Sequence, residues 1–332
     1  MDVMFFNAFG VLLGLILHDL RKAAKRTRYN MELFTQFYGD TYQTYLKDIK
    51  KIQSILKKDF SPLDNCGESW EISGVPDSES KIKNGQLSGH TLNQVIKEYK
   101  GRLLGNRVYE KFENQFPLLI KFIDANDDLS IQVHPEDELA WKRHKSFGKT
   151  EMWYIIQADE NAELIAGFNK EMNKNLYIDH FHKGTLIDVL NREKVKAGDV
   201  FFIPAGRIHT IGKGLLLAEI QQSSDVTYRI YDFDRKDSNG NTRELHIDEA
   251  LDAIDYNFYP EYKSKYDEKK DQPVELVRST YFTTNKLSLH SILYRDIKSY
   301  DSFVIYICLD GQGHIEHNDS RTRIGMGEVL LM

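Results

Sequence analysis

The sequence predicts a mainly β protein, built as a sandwich or jelly roll with a few inserted helices. Short apolar runs recur from residue 60 onward, and Gly, Asn, Asp or Pro bounds them. Many of these runs are rich in Val, Ile, Phe, Tyr and Trp, which favour strands, and few are long enough for a helix. The runs predict strands at 70–73, 118–123, 129–133, 152–156, 163–168, 199–203, 215–221 and 227–233.

The later sequence divides the chain into two β-domains. Helices are predicted to interrupt the strands at 91–98, 136–145 and 246–254. Further strands are predicted at 303–309, 313–317 and 327–331. Because a charged stretch at 261–272 separates the two sets of strands, we predict one domain over 60–255 and a second over 275–332. The chain stops at the end of a strand, so we expect the second domain to be incomplete.

The first 58 residues differ in composition from the rest of the chain. An apolar run at 3–17 is followed by basic residues at 21–28, and a lysine- and tyrosine-rich helical pattern covers 31–58. The apolar run is shorter than the roughly 20 residues that span a bilayer. It also lacks the preceding positive charge of a secretory signal. A membrane anchor, an amphipathic helix packed on the body, and an extension foreign to the native domain all stay open. We predict an atypical extension of apolar and basic helices over 1–58, and we assign it no function.

The composition excludes several classes of protein. With 332 residues, 41% hydrophobic and 28% charged, the chain has the mix of a soluble globular protein, and collagen-like or wholly disordered chains are excluded. The 44 Lys and Arg against 50 Asp and Glu give a net charge of −6, which provides no basic field for nucleic acid. Two distant cysteines, Cys66 and Cys308, fit a reducing compartment. We therefore predict a cytoplasmic protein without a nucleic-acid or membrane partner.

Four polar residues in three segments suggest a metal site. Alternation along 130–135 places Gln132 and His134 on one face of a strand. Glu151 begins a later strand, and His209 follows a strand and a Pro-x-Gly turn. Two imidazoles, one carboxylate and one amide oxygen suit zinc, with manganese, cobalt or iron as substitutes. Each residue taken singly is more often structural, and spacing does not show that the segments meet. On the residues alone, a metal site and a purely structural role for these residues therefore both stay open.

These segments resemble those of a known family. The run Gly198-x5-Pro204-x-Gly206-x2-His209 resembles the second signature motif of the cupin superfamily. The segments similar to type I mannose-6-phosphate isomerases of the short bacterial kind are GESWEISG at 67–74, LSIQVHP at 129–135, GKTEMW at 148–153, PAGRIH at 204–209 and SDVTYR at 224–229. The resemblance covers about 60–332 and implies cupin-like jelly-roll domains. The Trp-Gly-Gly turn that usually opens family members is absent, so we expect residues before about 58 to be replaced.

The resemblance implies a zinc-dependent aldose–ketose isomerase. It would interconvert mannose 6-phosphate and fructose 6-phosphate through a cis-enediol, with one zinc ion per chain. The positions that would bind this zinc are Gln132, His134, Glu151 and His209. A catalytically silent cupin that binds sugar phosphates is the alternative. An iron cupin oxygenase is a weaker one, because such enzymes commonly use several histidines. We expect a monomer or a dimer.

Several further residues are candidates for the chemistry. Lys149 lies two residues before Glu151 and is expected to share its face, so it is a candidate base. Glu219 is a rival carboxylate base, and a water-mediated route also stays open. In the family, the position of Arg229 is associated with stabilising the enediolate or positioning the open-chain sugar. The candidates for binding the 6-phosphate are Ser130 and Lys121, from family positions, and Arg207, as a fork-shaped clamp.

Overall fold

The structure is a computed structural model that describes residues 2–9, 15–16, 51–60, 66–236, 239–317 and 320–332. It divides into two compact units. The central unit contains Phe122–Ser264, and the terminal unit contains the described residues of Met1–Arg26, Lys50–Lys121 and Lys265–Met332. These units are defined by packing alone, so the domain limits given above stay predictions.

Strands dominate both units, which confirms the mainly β fold class. They are β1 (Asp2–Phe9), β2 (Leu15–Ile16), β3 (Glu68–Ile72), β4 (Leu118–Ala125), β5 (Ile131–Val133), β6 (Glu151–Ala158), β7 (Glu163–Phe168), β8 (Leu190–Lys194), β9 (Val200–Ile203), β10 (His209–Ile211), β11 (Leu215–Gln222), β12 (Tyr228–Tyr231), β13 (Lys263–Ser264), β14 (Val274–Arg278), β15 (Thr283–Ser288), β16 (Ser302–Asp310), β17 (Gln312–His317), β18 (Ser320–Gly325) and β19 (Val329–Leu331). Each strand predicted between residues 70 and 233 is present, with ends shifted by a few residues.

The helices are short and lie between strands. They are α1 (Lys51–Ser54), α2 (Leu92–Tyr99), α3 (Gly101–Leu104), α4 (Asn106–Phe112), α5 (Asp137–His144), α6 (Lys174–His182) and α7 (Ile247–Ala253), with 3-10 turns at Leu186–Val189 and Lys298–Tyr300. Local sequence explains where two of them start. Thr91 and Gln94 form a reciprocal capping box at α2, and Asn173 accepts a hydrogen bond from the Leu176 amide at α6. Among the described residues, no helix is long and apolar enough to cross a membrane.

Two antiparallel sheets of the central unit position the candidate site. One has the order β12-β5-β10-β7-β8, and the other includes β13-β9-β6-β11-β4. Apolar side chains of both sheets meet in one buried cluster, represented by Trp153, Leu164 and Phe201. Ile131 and Val133 of β5 pack instead in a second cluster together with residues of α7. Gln132, the residue between them, therefore faces the opposite side of the sheet, as the alternation predicted.

The first residues of the chain form a strand rather than the predicted apolar helix. β1 lies between β15 and β16 and pairs antiparallel with both. Val and Phe favour strands. The two flanking strands can accept and donate the backbone hydrogen bonds on both sides of β1, so a strand forms here in place of the predicted apolar helix. Met4 is fully buried in this sheet. The basic run at 21–28 and most of the helical pattern at 31–58 lie outside the described residues.

Gly167 on β7 is at a position that only glycine fits. Its φ of +71° is left-handed, and an added Cβ would lie 2.3 Å from the Tyr262 ring. Gly167→Ala is expected to lower the free energy of unfolding by about 2–4 kcal/mol, because left-handed strain and overpacking add. Gly184→Ala is the matched control, since Gly184 also has a left-handed φ of +67° but has nothing within 4 Å. Urea titration measures both variants, and equal losses would contradict the packing argument.

Candidate metal centre

The three predicted segments meet in the central unit. His209 begins β10 and is the direct cross-strand partner of Gln132 on β5. His134 follows directly after β5, and Glu151 begins β6 in the facing sheet. His134, Glu151 and His209 are all buried and offer ligand atoms that lie within 4.8 Å of one another. The structure therefore brings together three nitrogen and oxygen donors that could hold a metal ion.

The donor atoms face one another at short range. Glu151 Oε2 lies 3.6 Å from His134 Nε2, and Glu151 Oε1 lies 3.4 Å from His209 Nε2. The Gln132 carboxamide reaches His209 Nε2 through its Nε2 atom at 3.3 Å. The oxygen and nitrogen of a carboxamide are nearly indistinguishable in shape, so a rotation about its last bond presents Oε1 to the same point. All four predicted residues thus surround one small volume.

Backbone carbonyls set the tautomers of the two histidines. His134 Nδ1 lies 2.9 Å from the Val226 carbonyl, and His209 Nδ1 lies 2.8 Å from the Arg207 carbonyl. A ring whose Nδ1–H donates to a carbonyl has its unprotonated nitrogen at Nε2, which is the atom that can bind a metal. Burial lowers the pKa of His209 to about 4, so its imidazole is neutral near pH 7. The ring is therefore in the form that a metal ion requires.

Lys149 contacts this group directly. Its buried Nζ lies 3.0 Å from His134 Nε2 and 3.2 Å from Glu151 Oε2. The side chain thus shares the face of Glu151, as expected for residues two apart at a strand entry. An amine at this position is within hydrogen-bond reach of anything bound between the two donors.

The other two catalytic candidates lie on strands that pair with β6 and β5, respectively. Glu219 on β11 pairs with Trp153 on β6, and its Oε2 accepts a hydrogen bond of 3.1 Å from the indole N–H. The Trp153 ring packs edge-on against His209, with 5.3 Å between ring centroids. Arg229 on β12 is the cross-strand partner of Gln132 on the side opposite His209. Glu219 and Arg229 therefore flank the group from two directions.

The three phosphate candidates lie in different surroundings. Ser130 Oγ is 3.5 Å from Gln132 Oε1, beside the group. Lys121 belongs to the terminal unit, where its Nζ lies 5.3 Å from the centroid of the Trp70 ring. Arg207 packs its guanidinium on two tyrosine rings, at 4.5 Å from Tyr259 and 4.9 Å from Tyr262. This packing accounts for the burial of Arg207 without a phosphate, and its assignment stays a prediction.

A cluster of arginines beside Arg229 was not predicted. The buried carboxylate of Asp232 accepts hydrogen bonds from Arg235 and Arg243, with Arg243 Nε at 2.7 Å. Burial and the nearby Arg243 lower the pKa of Arg229, whose Nη1 donates to the Glu244 carbonyl at 2.9 Å. Arg235 Nη1 also lies 3.9 Å from Asp127 Oδ2, so more than one carboxylate faces these arginines. The sequence did not indicate this cluster of arginines, because arginines in loops follow no periodic pattern.

The paired sheets and the buried donor group define a cupin-like protein with a candidate metal centre. The family model of the phosphomannose isomerase type I catalytic domain matches residues 50–187. "Mannose-6-phosphate isomerase ManA" from Bacillus subtilis is 36% identical over 277 residues, which are 82% of this chain and 84% of that protein. The mannose-6-phosphate isomerase of Streptococcus mutans is 37% identical over 284 residues, 83% of this chain and 86% of that protein. The chain belongs to the type I mannose-6-phosphate isomerase family.

Two other comparisons concern the fold and the first residues. The crystal structure of the mannose 6-phosphate isomerase from Bacillus subtilis is similar with a TM-score of 0.69 and 29% identity, over 85% of this chain and 88% of that chain. This similarity agrees with the cupin-like fold class predicted from the sequence. A CHAD domain model matches residues 13–59. Those residues make up most of the segment at 1–58 whose composition differs from the rest.

Proposed function

We propose that the protein is a zinc-dependent aldose–ketose isomerase that interconverts mannose 6-phosphate and fructose 6-phosphate. One observation carries the proposal: a buried carboxylate, two imidazoles and a carboxamide converge on one point, and Lys149 reaches two of them. Membership of the mannose-6-phosphate isomerase family supports the same reaction.

The donor set fits zinc in its chemistry and in its spacing. Zinc bonds to nitrogen and oxygen of about 2.0–2.2 Å in a tetrahedron place neighbouring ligand atoms about 3.3–3.6 Å apart. Three of the separations within the group, 3.3, 3.4 and 3.6 Å, lie in this range, and the ligand atoms of His134, Glu151 and His209 all lie within 4.8 Å of one another. We propose that Gln132, His134, Glu151 and His209 hold one zinc ion per chain. When bound, the ion would act as a Lewis acid that polarises the sugar oxygens, and the single carboxylate leaves the site with a net positive charge.

The protein side chains would then handle the proton. Isomerisation moves a proton between C2 and C1 of the open-chain sugar through a cis-enediol, which requires a base within hydrogen-bond reach. Lys149 and Glu219 are the proposed bases, because both are buried beside the donor group; a water-mediated route is the third possibility. Arg229, next to Gln132, is proposed to stabilise the negative charge that develops on the enediolate oxygen.

The remaining assignments of the substrate and the cell compartment are also proposals. Ser130, Lys121 and Arg207 stay the proposed phosphate ligands, and the contact of Ser130 with Gln132 supports the first of them. Cys66 and Cys308 are both free and buried. Free thiols are typical of reducing compartments, which supports the proposed cytoplasmic location. We also propose that the protein is a monomer or a dimer.

A coupled assay tests the proposed reaction. Zinc-loaded protein is mixed with mannose 6-phosphate, and fructose 6-phosphate is converted further and read through a dehydrogenase. We expect turnover that a chelator abolishes and added zinc restores, because the proposed Lewis acid leaves and returns. Boiled protein and zinc alone are the controls. Binding of mannose 6-phosphate without turnover by the zinc-loaded protein would contradict the proposal and favour a sugar-phosphate-binding cupin.

A further inference from the structure

We infer that Gln222 is a positioning residue, which fixes the backbone that carries Lys149 through a hydrogen-bond network with Asp137 and Thr150. The inference rests on the proposed function, because it concerns the placement of Lys149 beside His134 and Glu151. Gln222 is the last residue of β11 and is only 4% exposed.

Each backbone amide of the segment at 148–150 has its own acceptor. The Gly148 amide donates to Asp137 Oδ1 at 2.8 Å, and the Lys149 amide donates to the Pro135 carbonyl at 3.2 Å. The Thr150 amide donates to Gln222 Oε1 at 2.8 Å. Three consecutive amides are thus fixed, so the direction in which the Lys149 side chain leaves the backbone is fixed as well.

The Gln222 side chain links the Asp137 carboxylate to the backbone of Thr150. Its Nε2 donates to Asp137 Oδ1 at 2.9 Å while its Oε1 accepts from Thr150. The backbone amide of Gln222 also donates to the Thr150 carbonyl at 3.1 Å. A carboxamide supplies one donor and one acceptor at the same place, which neither a carboxylate nor an apolar group can do.

The network also reaches the other segments of the metal centre. Thr150 Oγ1 accepts a hydrogen bond of 3.2 Å from the Ala205 amide, in the turn that leads to His209. The adjacent Gly206 amide donates to the His134 carbonyl at 2.8 Å. A displacement of about 1 Å at a reacting group can cost on the order of a hundredfold in rate. Loosening the backbone at 148–150 is therefore expected to affect the reaction more than zinc binding, because every proposed ligand is kept.

Gln222→Glu tests the inference. The new carboxylate can still accept from Thr150, but it lies against the Asp137 carboxylate and cannot donate to it. We expect kcat to fall about 10- to 100-fold, as for changes in residues that orient active-site groups. KM and the zinc content are expected to stay within twofold of their original values. Gln222→Met, with a similar shape, is measured in case the carboxylate prevents folding, and the same fall in kcat is expected.

A double variant tests whether changing both partners of the contact between Gln222 and Asp137 restores kcat. In the double variant Gln222→Glu with Asp137→Asn, one of the two facing carboxylates is removed and the asparagine keeps an oxygen for the Gly148 amide. Because Gly148 and Gln222 both contact Asp137 Oδ1, the asparagine does not restore both contacts at that position. We therefore expect a partial recovery, with kcat at least about threefold above that of Gln222→Glu. Gln157→Glu is the matched control, because Gln157 donates to Asp159 at 2.9 Å near the other end of β6. It is expected to leave kcat unchanged.

Two readouts separate this inference from the proposed function. Isomerase activity of the original chain tests the proposed function. Hydrogen exchange at the Gly148 and Thr150 amides tests the network without activity, and we expect it to be faster in Gln222→Glu and partly slowed again in the double variant. Unchanged kcat and unchanged exchange in Gln222→Glu would overturn the inference. So would a double variant that regains its melting temperature while its kcat stays at the value of Gln222→Glu.

Discussion

Glu151→Ala is expected to remove zinc from the protein and to lower kcat/KM by about 10³-fold or more. Glu151 is the only carboxylate of the four proposed ligands, and its two oxygens lie 3.6 and 3.4 Å from the histidine nitrogens. Its loss leaves three neutral ligands and removes Lewis-acid stabilisation worth several kcal/mol, where about 1.4 kcal/mol is tenfold in rate. His134→Ala is expected to behave in the same way. Elemental analysis of dialysed protein measures zinc per chain, and the coupled assay measures the rate.

The control for these variants is a histidine away from the group. His182 is exposed at the end of α6, so His182→Ala is expected to keep both zinc and activity. Circular dichroism of each variant shows whether the fold is retained. Folded Glu151→Ala and His134→Ala proteins that still bind one zinc ion per chain would show that the ligand assignment is wrong.

Lys149→Met is expected to lower kcat by about 10²- to 10⁴-fold, the range that a positioned general base supplies. Methionine keeps much of the side-chain length but removes the amine that contacts His134 and Glu151. Because no proposed ligand is removed, the zinc content is expected to stay at one ion per chain. Rate and zinc content are measured on the same protein sample.

Glu219→Gln identifies the base by comparison. If Lys149 is the base, Glu219→Gln is expected to have the smaller effect on kcat, because the amide still offers an acceptor to the Trp153 indole. The opposite order would assign the base to Glu219. Lys213→Met replaces an exposed lysine and is expected to change nothing. Full activity in Lys149→Met would remove Lys149 from the candidates.

For the candidate metal centre, the sequence predicted which side chains share a face wherever the pattern was local. Alternation along 130–135 placed Gln132 and His134 on the face opposite Ile131, because side chains in a strand alternate by geometry. That His209 lies beside Gln132 depends on pairing between β5 and β10, which are far apart in sequence. The family resemblance suggested this juxtaposition, since spacing alone carries no information about which strands pair.

Other features depend on contacts that no local pattern encodes. The network of Asp137, Thr150 and Gln222 consists of ordinary polar residues in three separate segments. The packing of Arg207 on two tyrosines likewise requires partners from about fifty residues downstream. A helix was predicted where β1 is a strand. The strand depends on pairing with β15 and β16, which are far from β1 in sequence, so no local pattern indicates it.

The position of β1 has a consequence for biosynthesis. These residues are synthesised long before the two strands that flank them, which lie far downstream. Until those two strands have been made, a nascent segment with the sequence VMFFNAF has neither of its partners. Such uncharged β-forming stretches are prone to self-association while they wait. We therefore expect the yield of native protein in the cell to depend on chaperones that shield β1 during elongation.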